Sequence, residues 1–332
     1  MNEIYVIQDQ KENAQNISFN NRKPRNKNRV FGRELQNFRP DEVTPVRKAS
    51  RVNGNLTPQV RERTVSIVES FVSEPQHVIE YQAEILRYVK NNEPNFRVSK
   101  DYMSSQPDIT TKMRSILIDW LVDVALKFKL LPQCLFMAVN LLDRFISKTQ
   151  TSRSQLQLAG ITCLMISAKF EEIYPPMLKD YVCVCDNAYS RKEILEMEGL
   201  ILQTLNFQVT QTSSFAYLKM FNSKLKLDDK LFVFARYLLE AALFDLNSLK
   251  HDNCSLAAGA IFLVNKIFKK DPWTPSVSEI TMTGEDQVKL PAKDLYLIMQ
   301  KVDSNGLTAL GRKFGSEEYF EVSKYKIERS RN

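Results

Sequence analysis

Residues 135–142 read Leu-Phe-Met-Ala-Val-Asn-Leu-Leu, and residues 231–238 read Leu-Phe-Val-Phe-Ala-Arg-Tyr-Leu, a similar apolar stretch 96 positions later. A second match follows each stretch, because Ala159-Gly160 corresponds to Ala258-Gly259 at an offset of 99. Self-similarity at a nearly fixed spacing indicates a duplicated structural unit. The sequence therefore predicts two copies of one helical unit, each roughly a hundred residues long.

The segments around the first copy have the spacing of helices. From Thr110 to Phe128, apolar residues recur every three or four positions, which places them on one face of a helix. Further helices are predicted at 133–145, 154–173 and 191–205, and the prolines of Tyr174-Pro175-Pro176 cannot continue the second of these. No convincing strand competes with them, so the predicted fold class is all-α.

Composition narrows the class of protein. The 332 residues are 43% hydrophobic and 26% charged, enough to bury the cores of two ordinary domains. The longest nearly apolar stretch, 158–168, is much shorter than the roughly 20 residues of a membrane span, and the start of the chain lacks a signal-peptide pattern. Five cysteines without a CxxC pair favour reduced thiols. We therefore expect no membrane partner and a nuclear and cytoplasmic location.

The sequence lacks the residue patterns that many classes of enzyme use to bind metals or nucleotides. There are two histidines, His77 and His251, and no HExxH pattern for a metal site. None of the nine glycines forms a GxGxxG or GxxxxGK[ST] motif, which would cradle a nucleotide phosphate. The sequence therefore predicts no catalytic residues, no metal and no cofactor.

The net charge of +7 is concentrated near the start of the chain. Residues 22–51 hold ten basic and three acidic side chains, and residues 1–74 show no sustained apolar periodicity. Such a segment cannot bury enough apolar surface to offset its ordering entropy, so we predict a disordered regulatory tail at 1–74. A basic tail can contact nucleic acid or an import receptor or simply remain solvated, and charge alone does not decide between these.

Four stretches together resemble the cyclin box of the A- and B-type mitotic cyclins. They are QPDIT at 106–110, MRSILIDWLV at 113–122, LDRFIS at 142–147 and SAKFEEIYPP at 167–176, and the similarity extends from about Tyr81 to Tyr325. The resemblance implies tandem five-helix cyclin-box domains, preceded by an N-terminal helix and the disordered basic tail. The expected domains are 75–210 and 211–326.

The resemblance also implies a function. Cyclins are activating subunits of cyclin-dependent Ser/Thr kinases, so we expect a heterodimer with such a kinase that acts in the cell cycle at G2/M. In this family a lysine and a glutamate bond the kinase's mobile helix, and the matching residues are Lys169 and Glu198. From residue type alone, both would be ordinary exposed helix charges. The apolar kinase contacts implied are Ile166, Phe170, Leu202 and Phe207, with Tyr81, Ile85 and Tyr88 from the N-terminal helix.

A second implied surface is the groove that docks Arg-x-Leu segments of substrates and inhibitors. Its apolar residues would be Met113, Ile116, Leu117 and Trp120, with Asp123 meeting the docking arginine and Gln157 lining the groove. Periodicity alone favours a core role for the apolar stripe. The resemblance further implies a structural ion pair between Arg114 and Asp143, which is costly to break if it is buried.

The tail carries candidate regulatory signals. Lys11-Glu12-Asn13 resembles the KEN degradation signal of mitotic cyclins, which implies recruitment of ubiquitin-ligase machinery. The segment 29–37 is only similar to a destruction box, since its apolar residue and glycine come one position early. Thr44 and Thr57 each precede a proline and are phosphorylation candidates.

One alternative function and several questions stay open at this point. A DNA-binding transcription factor of cyclin fold would also suit a basic tail, although such factors usually carry an N-terminal zinc ribbon and residues 1–133 contain no cysteine. Nucleic acid is therefore not the expected partner. The sequence leaves open the kinase partner, an A-type or B-type role, the substrates, and whether 29–37 works as a destruction box.

Overall fold

The computed structural model describes residues 79–302 and 306–325, and all regular structure within them is helical. One-turn 3-10 helices, including Ile79–Tyr81 and Glu93–Phe96, accompany the α-helices. The predicted all-α class is confirmed. In chain order the α-helices are α1 (Gln82–Asn92), α2 (Thr111–Lys127), α3 (Pro132–Lys148), α4 (Arg153–Glu171), α5 (Leu178–Val184), α6 (Arg191–Thr204), α7 (Ser214–Leu225), α8 (Asp229–Ala242), α9 (Asn253–Ile267), α10 (Pro275–Thr281), α11 (Glu285–Val302) and α12 (Ala309–Phe314).

Ten of the described α-helices form two units of five, α2–α6 and α7–α11. In the first, the central helix α4 packs against α2, α3 and α6, and in the second, α9 packs against α7, α8 and α11. Both central helices are buried throughout their middle turns, at 158–168 and 256–265, as expected for a stretch that is apolar all round. The matched Gly160 and Gly259 lie in α4 and α9. The duplication predicted from the repeat is therefore present in the fold.

Local signals fix the helices of the first unit. The Thr110 side chain accepts a hydrogen bond from the backbone N–H of Met113 and caps α2. Ser190 and Glu193 form a capping box at the start of α6. Just past the end of α4, Glu172 accepts the backbone N–H of Leu131 at 2.6 Å. These contacts fix where α2 and α6 begin, and they hold the end of α4 against the start of α3.

Helix α1 is held mainly by the second unit, although it precedes the first. The Lys90 ammonium donates to the carbonyl of Met282 at 3.1 Å, and the buried Glu93 accepts from the Tyr217 hydroxyl and the Asn253 backbone N–H. Burial raises the pKa of Glu93 above its ordinary value, an effect the Asn253 N–H opposes. Between the units, the rings of Phe136 and Phe215 stack with centroids 5.6 Å apart.

Gly259→Ala is expected to destabilise the fold by about 1–3 kcal/mol, the usual cost of overpacking a core. A Cβ atom at this position would lie 2.9 Å from the Cβ of Pro291 and 3.0 Å from the backbone nitrogen of Ala292. A proline ring and a backbone atom cannot move aside as the tip of a long side chain can.

Urea denaturation compares this variant with Gly199→Ala, the matched control in α6. A Cβ at Gly199 meets no atom within 4 Å, so alanine should stabilise that helix by about 0.5–1 kcal/mol. Equal stability of the two variants would contradict the close approach of α9 and α11.

Several predictions fall outside the described residues. These are the tail at 1–74, Lys11-Glu12-Asn13, the segment 29–37, Thr44 and Thr57.

Within 79–302 and 306–325, no helix is both long and apolar enough to cross a bilayer. The same residues hold no cluster of three or more metal-ligating side chains.

Candidate functional site

Lys169 and Glu198 form an ion pair on the surface of the first unit. Lys169 lies in the last turn of α4 and Glu198 in α6, and because these helices pack together, Nζ and Oε1 are 2.6 Å apart. The lysine side chain is 47% exposed and the glutamate side chain 16% exposed. The two residues are thus positioned by the packing of α4 on α6, with the ammonium open to solvent.

Exposed apolar side chains lie close to this pair in the sequence. Phe170, next to Lys169, and Phe207, just after α6, are both more than half exposed. Leu202 is half-buried, and Ile166 is only 5% exposed, so Ile166 belongs to the core that supports the surface. Of the predicted apolar contacts in the first unit, Phe170 and Phe207 therefore offer most of the free surface.

Sequence reasoning missed three further exposed apolar residues that lie close to Lys169 in the sequence. Ile173, Tyr174 and Met177 follow α4 and are all exposed, Tyr174 to 92%. They stand in or beside the motif SAKFEEIYPP at 167–176, but nothing in their spacing separated an exposed residue from a buried one. Exposed apolar groups close together favour an interaction surface.

Helix α1 presents a second apolar face. Tyr81, Ile85 and Tyr88 are exposed, whereas Leu86 is buried. Their spacing of four and then three positions places them on one side of the helix. The face predicted for partner contact is therefore directed away from the core.

The predicted docking groove is less open than the resemblance implies. Met113 and Ile116 are half-buried, but Leu117 is fully buried and Trp120 is 4% exposed. The end of the Leu117 side chain lies against the backbone at Gly160, so α2 and α4 approach closely here. Gln157 is half-buried and accepts a hydrogen bond from the Tyr189 hydroxyl. Of the apolar residues predicted for the groove, only Met113 and Ile116 therefore offer appreciable surface.

The Asp123 carboxylate is bound by an arginine of the same chain. Nη2 of Arg312, in α12, donates to both carboxylate oxygens at 2.9 and 2.7 Å. Burial raises the pKa of Asp123 above its ordinary value, and the Arg312 charge opposes this. Sequence reasoning missed Arg312, because 189 positions separate it from Asp123 and no local pattern links the two.

Asp119, one turn before Asp123, is also bound by the α12 segment. Its carboxylate accepts the backbone N–H of Thr308 at 3.3 Å and that of Ala309 at 3.0 Å. The pKa of Asp119 is raised to about 6, because burial and the Asp123 charge together outweigh the opposing N–H donors and the Arg312 charge. The acidic face of α2 is therefore covered by the chain itself.

Arg114 and Asp143 form a buried, bidentate ion pair between α2 and α3. Both contacts, Nε to Oδ1 and Nη2 to Oδ2, measure 2.7 Å, and both side chains are almost fully buried. The Tyr102 hydroxyl donates to the same carboxylate, and Nη1 of Arg114 donates to the Leu243 carbonyl of the second unit. Burial alone would lower the pKa of Arg114, but the Asp143 carboxylate, aided by Tyr102, raises it.

Comparison with known proteins identifies the family of this chain. The family description "Cyclin, N-terminal domain" matches residues 84–210, and "Cyclin, C-terminal domain" matches 212–328. The chain is 34% identical to a G2/mitotic-specific cyclin-A of Hydra viridissima, over 77% of this chain and 62% of that protein. It is 37% identical to Cyclin-B1-4 of Arabidopsis thaliana, over 74% of this chain and 64% of that protein. A G2/mitotic-specific cyclin-B of Marthasterias glacialis is 31% identical over 87% of this chain and 75% of its own length.

The coverage of these relatives and the low identity to solved structures limit what the matches show. The chain spans less than two thirds of the length of the first two of these relatives. A viral cyclin from herpesvirus saimiri has a similar fold, with a TM-score of 0.59 at 19% identity over 67% of this chain and 98% of that one. A chain of the yeast RNA Pol II CTD kinase CTDK-1 complex gives a TM-score of 0.50 at 16% identity over 64% of this chain and 75% of that one. From its two domain matches and its mitotic relatives, the chain belongs to the cyclin family, among the A- and B-type mitotic cyclins.

Proposed function

We propose that this chain is the activating subunit of a cyclin-dependent Ser/Thr kinase and acts in the cell cycle at G2/M. The observation that carries the proposal is the exposed Lys169–Glu198 pair beside Phe170 on the first unit. An ammonium and a carboxylate provide directional, charge-assisted bonds to a partner's backbone and side chains. Exposed aromatic residues supply the apolar area that a stable interface buries at its centre.

The proposed mechanism is binding, and the phosphoryl transfer takes place on the kinase. Protein kinases are active only when a lysine and the glutamate of their mobile helix are paired and the activation segment is open. A partner that binds this arrangement more tightly than the inactive one shifts the population toward it. The Lys169 ammonium has three donors and uses one on Glu198, so two remain for groups on the mobile helix.

Two apolar surfaces would complete the interface. Phe170, Ile173 and Phe207 are exposed on the first unit, and Tyr88 on α1 and Tyr81 just before it are exposed as well. Aromatic side chains bury a large area at little entropic cost and are enriched among the residues that dominate binding energy. We propose that both surfaces contact the kinase, with the ion pair fixing their orientation.

Finer parts of the proposal concern regulation. We propose that substrates or inhibitors with Arg-x-Leu segments dock along α2, that Lys11-Glu12-Asn13 recruits ubiquitin-ligase machinery, and that Thr44 and Thr57 accept phosphate from a proline-directed kinase. The protein would reside in nucleus and cytoplasm. Family resemblance supports these points, together with the half-buried Met113 and Ile116 on α2.

The test is the activity of a purified cyclin-dependent kinase on a generic Ser-Pro-x-Lys peptide, with and without the full chain, at several salt concentrations. If the free kinase is active in about 1% of molecules, a complete population shift raises the rate roughly 100-fold, and we expect activation of that order. No binding to any such kinase, combined with steeply salt-dependent binding to duplex DNA, would instead favour the transcription-factor function.

A further inference from the structure

Helix α12 is anchored in the second unit by buried residues. Leu310 and Phe314 are fully buried, and the Phe314 ring lies 5.3 Å from the Tyr237 ring between centroids. The buried Lys313 donates to both oxygens of Glu240, at 2.9 and 2.6 Å. None of these contacts involves the Arg312 side chain, so they hold the backbone of α12 in place whether or not Arg312 is paired.

From this anchor, the segment reaches across to α2 of the first unit. The backbone N–H groups of Thr308 and Ala309 donate to the Asp119 carboxylate. The Arg312 guanidinium donates to the Asp123 carboxylate. Asp119 and Asp123 are four positions apart and share one face of α2. Both carboxylates on this face thus already have donors from the same chain.

We propose that Arg312 determines the specificity of the docking groove, by occupying the carboxylate that would otherwise hold the arginine of an Arg-x-Leu ligand. This inference rests on the docking function proposed above. An incoming arginine must displace Arg312 from Asp123 or bind beside a like charge, and either costs affinity. The ligand's arginine then contributes less, and apolar contacts with Met113 and Ile116 contribute relatively more.

The mobile part in this arrangement is the Arg312 side chain. It is 50% exposed, whereas its neighbours Lys313 and Phe314 are buried. The guanidinium can therefore turn into solvent without moving α12. Arg312 acts as a competitor of moderate strength, because an exposed ion pair contributes little free energy even with good geometry.

Arg312→Ala is expected to tighten the binding of an arginine-bearing peptide about fivefold, the factor that matches the upper range for an exposed ion pair. The measurement is fluorescence anisotropy of a labelled Arg-x-Leu peptide with the full chain. The same peptide with alanine in place of arginine should bind wild type and variant equally. Arg312→Gln should act like Arg312→Ala, whereas Arg312→Lys retains a cation and should stay near wild type.

Two controls isolate the contact. Lys289→Ala removes a cation paired with Glu285 and Asp286 on α11, and should leave binding of both peptides unchanged. In an Asp123→Ala background, Arg312→Ala should add nothing. Equal affinity of wild type and Arg312→Ala for the arginine peptide would overturn the inference, as would equal tightening of both peptides or no binding to the variant.

The proposed kinase activation is read out separately, on a substrate peptide without an Arg-x-Leu segment. Arg312→Ala should leave this activation unchanged. If wild type fails to activate any kinase but Arg312→Ala still binds the arginine peptide more tightly, the proposed function fails and the inference about Asp123 stands. If activation is normal and the peptide affinities do not change, the inference alone fails.

Discussion

Lys169→Ala combined with Glu198→Ala is expected to abolish kinase activation and to leave the helical fold intact. Partly exposed ion pairs contribute at most about 1 kcal/mol to stability, and removing both partners leaves neither charge unpaired. In the complex the same groups would be desolvated and bonded to the kinase. Truncating such groups costs roughly 2–5 kcal/mol of binding free energy, about 30- to 5,000-fold in affinity.

The measurement is kinase activation against concentration of the full chain, with circular dichroism to check folding. The matched control is Lys192→Ala with Glu196→Ala, which removes another exposed ion pair on α6, with 3.5 Å between Nζ and Oε1. This control should activate like wild type. Undiminished activation by the Lys169 and Glu198 double variant would remove the assignment of the kinase-binding site.

Asp143→Ala is expected to destabilise the protein by about 3–5 kcal/mol, the usual cost of breaking a buried ion pair by removing one partner. The substitution leaves the buried Arg114 guanidinium without its carboxylate and the Tyr102 hydroxyl without its acceptor. Because Arg114 also donates to the Leu243 carbonyl, the change reaches the contact between the two units.

Thermal and urea denaturation measure this loss. At about 2–4 °C per kcal/mol for a chain of this size, the expected decrease in Tm is roughly 6–20 °C. Asp228→Ala is the matched control, since it removes an aspartate from an exposed pair with Lys270 and should cost less than about 1 kcal/mol. A similar cost for the two variants would mean that burial of the Arg114–Asp143 pair has no energetic weight.

The parts of the fold that were predictable from sequence depend on local signals. The observed α4 and α6 end within two residues of the predicted bounds, because apolar periodicity, the Ser190 cap and the Pro175-Pro176 pair are all local. The short helices α5 and α10 hold seven residues each, too few to show a periodicity. Their existence depends on packing against the rest of each unit.

The candidate site, like the fold, could be predicted from the sequence only in part. Lys169 and Glu198 were identified from family spacing as kinase-binding candidates, but neither their mutual ion pair nor the burial of Leu117 was predicted. An apolar stripe shows which helix face is apolar, and only the neighbouring helix decides which residues of that face stay exposed. The Arg312–Asp123 contact joins residues 189 positions apart, so no short window of sequence contains it. The domain bounds at 75–210 and 211–326, and the tail signals, stay predictions.

The attachment of α1 to the second unit has a consequence for synthesis on the ribosome. Lys90 and Met282 are 192 positions apart, so at about 5–20 residues per second α1 must wait roughly 10–40 s after its own emergence for that acceptor. During this interval Ile85 and Tyr88, with Tyr81 just before them, belong to a segment whose acceptor in the second unit has not yet been made. The first unit can condense around α4 in the later part of this interval, once α6 has left the ribosome. A nascent chain would therefore display the Lys169–Glu198 pair well before α1 takes its place, and the two proposed kinase surfaces would mature one after the other.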